Sequence, residues 1–442
     1  MASEMTAHAE TGSAPTEDIF SPRVQRRNFA ALIGDYVFFG AALNLINPSG
    51  MAPDFVARLG GGPVLVGLAG LIFRIMWLVP QLAFAPWVNR APRKKNYIIV
   101  PAIPARLAFL PVSALMVLIG TSSPGLLITV FLSGYALLAF GDGLSVVGWL
   151  DVLGSSVKDE YRVWMFGVGQ AVSGITVVLV VAPAVRYILG PNGPVFPNNY
   201  ATLLAIAAVL LLVALYSFSR LKEGKSDPPE DSPDLREFST FLGRILREDA
   251  MFRGYLLMRF VVDLSAIAMP FYIVFATEKL GQESAIALSD QILLVTLTGI
   301  LAALVMGRIN QRSGSRIITI IAGCVSLLSP LLILSSTHIG IIGLHLMWIS
   351  RGILDATFLP GFLNWVVEYA PEGYRPIYGG LSNTFGALAM LAPLVGGLIV
   401  TAFSYDVLFV VAAELGGLAM VLAIRLPEPR AIRRQREMAA AD

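Results

Sequence analysis

Residues 199–220 read NYATLLAIAAVLLLVALYSFSR, with no charged side chain before Arg220. A helix needs roughly 20 apolar residues to cross the hydrocarbon core of a bilayer, and this stretch supplies them without interruption. Stretches of the same kind recur on both sides of it. Toward the N-terminus they lie near 28–48, 63–87, 96–119, 124–150 and 163–189. Toward the C-terminus they lie near 252–277, 288–308, 315–336, 339–367, 376–402 and 405–425. The expected fold is therefore an all-α integral membrane protein with twelve transmembrane helices. An even number of spans places both termini on one side.

Composition agrees. Only 14% of the 442 residues are charged and the mean hydropathy is +0.71, where a soluble domain would carry closer to a quarter charged residues. Most of the 32 basic residues fall on the side of the termini. The opposite side holds only Arg58, Arg186 and Lys279, and four arginines lie inside spans. The positive-inside rule then makes both termini cytoplasmic, in a membrane expected to be a bacterial cytoplasmic one. The net charge of +2 reflects this bias and gives no reason to expect nucleic acid. Residues 1–21 are polar and acidic, unlike a cleavable signal peptide. A single cysteine, Cys324, excludes an internal disulfide and a cysteine metal cluster.

The longest polar stretch divides the spans six and six. This gives a tail over 1–27, a first lobe over 28–220, a central loop over 221–250, a second lobe over 251–425 and a C-terminal tail over 426–442. The loop begins as a flexible Pro-rich linker. It continues with Leu235, Phe238, Phe241, Leu242, Ile245 and Leu246 at helical spacing, which reads as an amphipathic helix on the cytoplasmic membrane surface, or as a spacer between halves.

The two halves also match each other. Asp142, Leu150, Tyr161, Arg162 and Gly167 correspond, at one constant offset, to Asp355, Leu363, Tyr374, Arg375 and Gly380. Asp35 matches Asp263 more loosely. The loop after the second span, with Asn89, Arg90, Arg93 and Lys94, corresponds to the loop after the eighth, with Gly307, Gln311, Arg312, Gly314 and Arg316. Here the chain resembles the major facilitator superfamily of secondary transporters, which carries a Gly-x-x-x-Asp-Arg-x-Gly-Arg-Arg loop between helices 2 and 3 and often a weaker copy between 8 and 9. Amides stand in place of the aspartate in both copies (Asn89, Gln311), Pro92 in place of a glycine, and Ala85 in place of the opening glycine. The resemblance implies two pseudo-symmetric six-helix lobes around a central cavity. The loop charges would either latch the lobes by meeting helix C-terminal carbonyls or acids in one conformation, or simply hold the loops inside.

Four aspartates, Asp35, Asp142, Asp263 and Asp355, fall in spans 1, 4, 7 and 10, which the resemblance places around the cavity. A carboxylate costs several kcal/mol in hydrocarbon, so each must face water, a partner or a substrate path. Arg259 and Arg351 precede Asp263 and Asp355 by four residues, and this spacing puts each pair on one helix face. Both read as buried ion pairs or gating pairs. Asp35 and Asp142 lack a basic neighbour in their own spans, so Arg74 and Arg106 are the available partners. These four are the candidates for proton coupling or for lining the substrate cavity, with Asp35 ranked first. Alternatively, Arg74 and Arg106 would bind an anionic substrate. Four arginines against four aspartates and Glu414 argue against a strongly charged one. His345 reads as a packing residue.

Spans 5 and 11 are rich in small residues that permit close helix approach. The Gly-Pro-x-x-Gly-Gly pattern of many family antiporters is not in span 5; span 11 has Ala392-Pro393 followed by Gly396 and Gly397. No nucleotide loop or metal-spaced cluster suggests an enzyme, a cofactor or a metal. The expected function is a secondary transporter moving a small molecule by alternating access, with protons as the candidate coupling ion and a monomer as the simplest state. Two rivals are a lipid or lysolipid flippase, and a non-transporting scaffold such as a pigment-assembly factor.

Overall fold

A computed structural model describes residues 19–89, 91–224, 243–371 and 374–441. Among them there are helices and connecting turns but no strand. Eleven of the predicted spans are helices long and apolar enough to cross a membrane. The remaining one, predicted over 339–367, is broken into Ile341–Ala356, a wider π-turn over Phe358–Leu363, and Asn364–Tyr369. The amphipathic helix expected in the central loop lies mostly outside the described residues, although 243–248 are helical. A further helix, Pro429–Ala441, follows the last span.

Prolines explain where the spans break. A proline lacks an N–H, and its ring collides with the carbonyl four residues earlier. Pro183 stands four after Leu179, inside the π-turn Val177–Val181 of the fifth span. Pro270 stands four after Ala266, where the seventh span narrows to a 3-10 turn over Ala266–Ala268. Pro360 and Pro393 stand four after Ala356 and Ala389, where the helices of spans 10 and 11 stop.

The packing pattern repeats between halves. In the first lobe, span 1 packs on spans 5 and 6, span 2 on span 4, and span 3 on spans 4 and 6. In the second lobe, span 7 packs on 11 and 12, span 8 on 10, and span 9 on 10 and 12. The lobes meet where span 2 packs on span 11 and span 5 on span 8. These interfaces are related by the same pseudo-symmetry.

Core packing differs between the two ends of the molecule. At the end away from the termini, one apolar cluster runs through both lobes, from Phe55, Phe131 and Tyr135 to Tyr272, Trp348 and Phe409. Toward the termini, each lobe has its own cluster. One surrounds Leu32, Leu153 and Phe218. The other surrounds Tyr255, Trp365 and Tyr369, with Tyr255 stacked on Trp365 at 4.1 Å between ring centroids. The lobes are thus joined at the far end and separate toward the termini.

Candidate functional site

Between the separated ends lies a cavity of about 750 Å³. Span 2 lines one wall with Gly70, Arg74, Trp77, Leu78 and Gln81. Spacings of three, four and seven from Arg74 set the last three on its helix face. The opposite wall comes from spans 7, 10 and 11 at their proline breaks, through Ala266, Met269, Pro270, Phe358, Phe362, Met390 and Pro393. A sequence reading that had followed the prolines would have found this wall. Helix breaks at midplane depth are tolerated where backbone lines a cavity rather than lipid.

The charged residues divide differently from their spacing in the chain. Arg259 donates through Nε to Asp263 Oδ2 at 2.7 Å, and its guanidinium lies over the Phe358 and Phe362 rings at 4.8 and 4.4 Å. Arg351 donates to Asp355 Oδ1 at 2.5 Å. Both i,i+4 pairs form, and both line the cavity. The Arg351 Nε, however, is buried without a hydrogen-bond partner among the described residues. Arg106 donates to Asp142 Oδ1 at 3.0 Å and to the Leu211 carbonyl at 2.9 Å, with both side chains more than nine-tenths buried. Asp35 accepts from Trp149 Nε1 at 3.3 Å.

Arg74 stands apart from the first-lobe network that was expected to contain it. It is exposed to the cavity, which it shares with Arg351, Asp355 and Asp263 of the other lobe. It makes no hydrogen bond or ion pair among the described residues. Asp35, Asp142 and Arg106 do not line the cavity.

Polar contacts between side chains join the lobes at the far end. Asn47 donates to Gln291 at 3.0 Å. Ser284 donates to Asp54 Oδ1 at 3.1 Å, and the fully buried Asp54 also accepts from Tyr200. Asp290 lies 3.8 Å from Arg186 and hydrogen-bonds His345 at 2.9 Å. Asp290 belongs to the eighth span and was left out of the count of intramembrane acids, so His345 has a carboxylate partner rather than being a lone packing group. Asp54 was missed because it lies in the short helix Met51–Arg58 after the first span, where an acid looks solvent-exposed. At the same end, span 2 and span 11 backbones touch. A Cβ on Gly397 would sit 2.6 Å from the Pro63 carbonyl oxygen.

The loops facing the termini engage their own lobes. Lys94 pairs with Asp151 and its backbone N–H meets Glu223, while Lys95 Nζ donates to the carbonyls of Ser219 and Leu221 at 2.6 Å. In the second copy, Arg316 donates to the Ile424 carbonyl at 2.8 Å. Both copies thus place a cation on the C-terminal carbonyls of their lobe's last span, where the helix dipole favours it. Gln311 accepts at its carbonyl from Arg430 at 3.4 Å, and Gly314 adopts a φ of +79° that suits glycine. Arg93 is exposed, as is Arg312. Nothing packs where a Gly307 side chain would stand. Arg90 and the Asn89 side chain lie outside the described set.

A family model described as the Major Facilitator Superfamily matches residues 28–389 and, again, 264–441. No curated protein matches the chain. Among solved structures, a bacterial homologue of the iron transporter ferroportin in an inward-facing state is similar at a TM-score of 0.66 and 12% identity, over 91% of this chain and 98% of that one. A D-xylose–proton symporter gives 0.66 and 15%, over 92% and 98%. The nucleoside transporter NupG gives 0.60 and 13%, over 90% and 98%. At these identities the likeness is one of fold.

Proposed function

This chain belongs to the major facilitator superfamily, and we propose that it is a secondary transporter that moves a small molecule across the membrane by alternating access. The observation that carries this reading is the cavity between the lobes, closed at one end by contacts spanning both lobes and lined at mid-depth by broken helices. Discontinuous helices at a repeat interface are where transporters of this build hold their cargo. With both termini cytoplasmic, the described conformation is inward-facing. Rocking would break the Asp54–Ser284 and Asn47–Gln291 contacts and bring the loop ends together.

Coupling is assigned to Asp35. It sits half-buried in the first span with one weak donor, Trp149, and it is free of the direct guanidinium contact that occupies Asp142, Asp263 and Asp355. Arg106 and Asp142 hold the first lobe beside it, and the two i,i+4 pairs order the second-lobe wall.

The test needs no known substrate. Cys324 is replaced by Ser, and Leu78, on the cavity wall, by Cys. A membrane-impermeant maleimide is then applied from each side of oriented proteoliposomes. Alternating access requires that the introduced thiol be labelled from both sides. Labelling from one side alone would return the protein to a scaffold. A fluorescent-phospholipid scrambling assay on the same vesicles separates a lipid flippase from a carrier of soluble cargo.

A further inference from the structure

Resting on that reading of the cavity, we infer that its cargo is a singly charged organic anion with an apolar body, and that Arg74 is the group that holds the charge. Among the described residues the charged lining consists of Arg74, Arg259, Arg351, Asp263 and Asp355. Arg259 and Arg351 are each matched to one aspartate, so the cavity carries one positive charge in excess, located on Arg74. Within its own lobe, Asp142 is paired with Arg106, and neither Asp142 nor Asp35 lines the cavity.

A guanidinium presents a planar fork of donors that fits a carboxylate or sulfonate in a two-point contact. A lone cation among apolar walls attracts an incoming monoanion, which restores neutrality. A dianion would overshoot it, and a cation would add to the repulsion. The rest of the wall specifies the body of the cargo. Trp77 and Leu78 adjoin Arg74, and Met269, Phe358, Phe362 and Met390 face them, giving aromatic and thioether surface suited to a ring or alkyl chain. Gln81 and Asn383 supply the hydrogen-bonding amides. The cavity volume lies within the range that encloses a drug-sized molecule.

The experiment compares two thiol reagents of similar size and opposite charge, the methanethiosulfonates bearing an ethylsulfonate and an ethyltrimethylammonium group. Each reacts with the thiol of the Leu78→Cys, Cys324→Ser protein, and each rate is normalised to that with a free thiol. Position 78 is one turn from Arg74, about 6 Å away. One unit charge at that distance in a water-like dielectric biases the anion-to-cation rate ratio on the order of tenfold. The ratio is independent of the thiol's own ionisation. Arg74→Gln is expected to bring the ratio to about one, and Arg74→Lys to restore a bias toward the anion. A preference for the cationic reagent, or a ratio unchanged in Arg74→Gln, overturns the assignment. If the Gln variant fails to fold, Arg74→Met removes the same charge with a side chain suited to the apolar wall, and it must likewise bring the ratio to about one. Loss of the bias with two-sided labelling intact rejects the anion and leaves the transporter. One-sided labelling with the bias intact does the reverse.

Discussion

Arg106 donates to Asp142 at 3.0 Å, and neither residue lines the cavity that Arg74 faces. With both partners more than nine-tenths buried, the pair is a structural brace of the third and fourth spans. Removing one member of a buried pair leaves an uncompensated charge, which costs about 3–5 kcal/mol. Arg106→Gln should therefore lower thermal stability in detergent markedly. A double replacement, Arg106→Met with Asp142→Leu, should recover most of the loss. A single Arg106→Gln that melts with the parent protein would contradict the brace.

The two cavity pairs should behave differently. The Asp355 side chain is 45% exposed, so its ion pair is screened and worth at most about 1 kcal/mol. Asp355→Asn is expected to shift the melting temperature little. It should instead release Arg351 and raise the anion bias of labelling at position 78. Asp263, 28% exposed and tied to a guanidinium that is itself packed on two aromatic rings, should be the more costly of the two to remove.

Gly386 in the eleventh span explains part of the small-residue richness there. A Cβ at that position would stand 2.8 Å from Asp263 Oδ2. Gly386→Ala should push Asp263 off Arg259, and Gly386→Val should do so more strongly. The readout is the labelling rate of the Leu78→Cys thiol by a neutral maleimide, with the double variant Gly386→Ala, Asp263→Asn as the check. If the glycine serves only that carboxylate, adding the alanine to Asp263→Asn should change nothing further.

The far-end contacts are expected to set which conformation is populated. Tyr200→Phe would leave the buried Asp54 without its phenol donor, and Asp54→Asn would remove the charge that holds both Tyr200 and Ser284. An unsatisfied buried polar group costs about 1–3 kcal/mol, enough to move a two-state equilibrium several-fold or more. Both variants should open the far end, measured as faster labelling of the Leu78→Cys thiol from the side away from the termini. Unaltered labelling in both would show that the apolar cluster alone holds the lobes closed.

Asp35→Asn should retain thermal stability, since only the Trp149 contact at 3.3 Å is weakened. It should abolish the pH dependence of the ratio between labelling from the two sides, in which the thiol's own ionisation cancels. A variant whose two-sided ratio keeps the parent's pH profile would remove Asp35 from the coupling role.

Much of the fold was legible along the chain because the bilayer leaves few options. Backbone groups must bond internally in lipid, so uninterrupted apolar runs become helices. The copied frame from Asp142 to Gly167 and from Asp355 to Gly380 announced two lobes, and their helix pairings repeat accordingly. The i,i+4 pairs Arg259–Asp263 and Arg351–Asp355 could be read directly, because helix geometry alone brings those side chains together. Prolines 183, 270, 360 and 393 likewise fixed the helix breaks by a local collision.

Partners on different helices were decided only by the tertiary structure. Lipid-facing and bundle-facing residues are equally apolar in these spans, so composition does not report how each helix is rotated about its axis. The packing of spans 3, 4 and 6 turned Arg106 inward to Asp142. The meeting of spans 2 and 11 turned Arg74 outward into the cavity, toward the acids of the other lobe. The sequence determined the spans, the repeat and the local pairs, since each follows from chain spacing and from the solvent. Which arginine braces a lobe and which faces the cavity depended on helix rotation, which is set by packing between segments far apart in the chain.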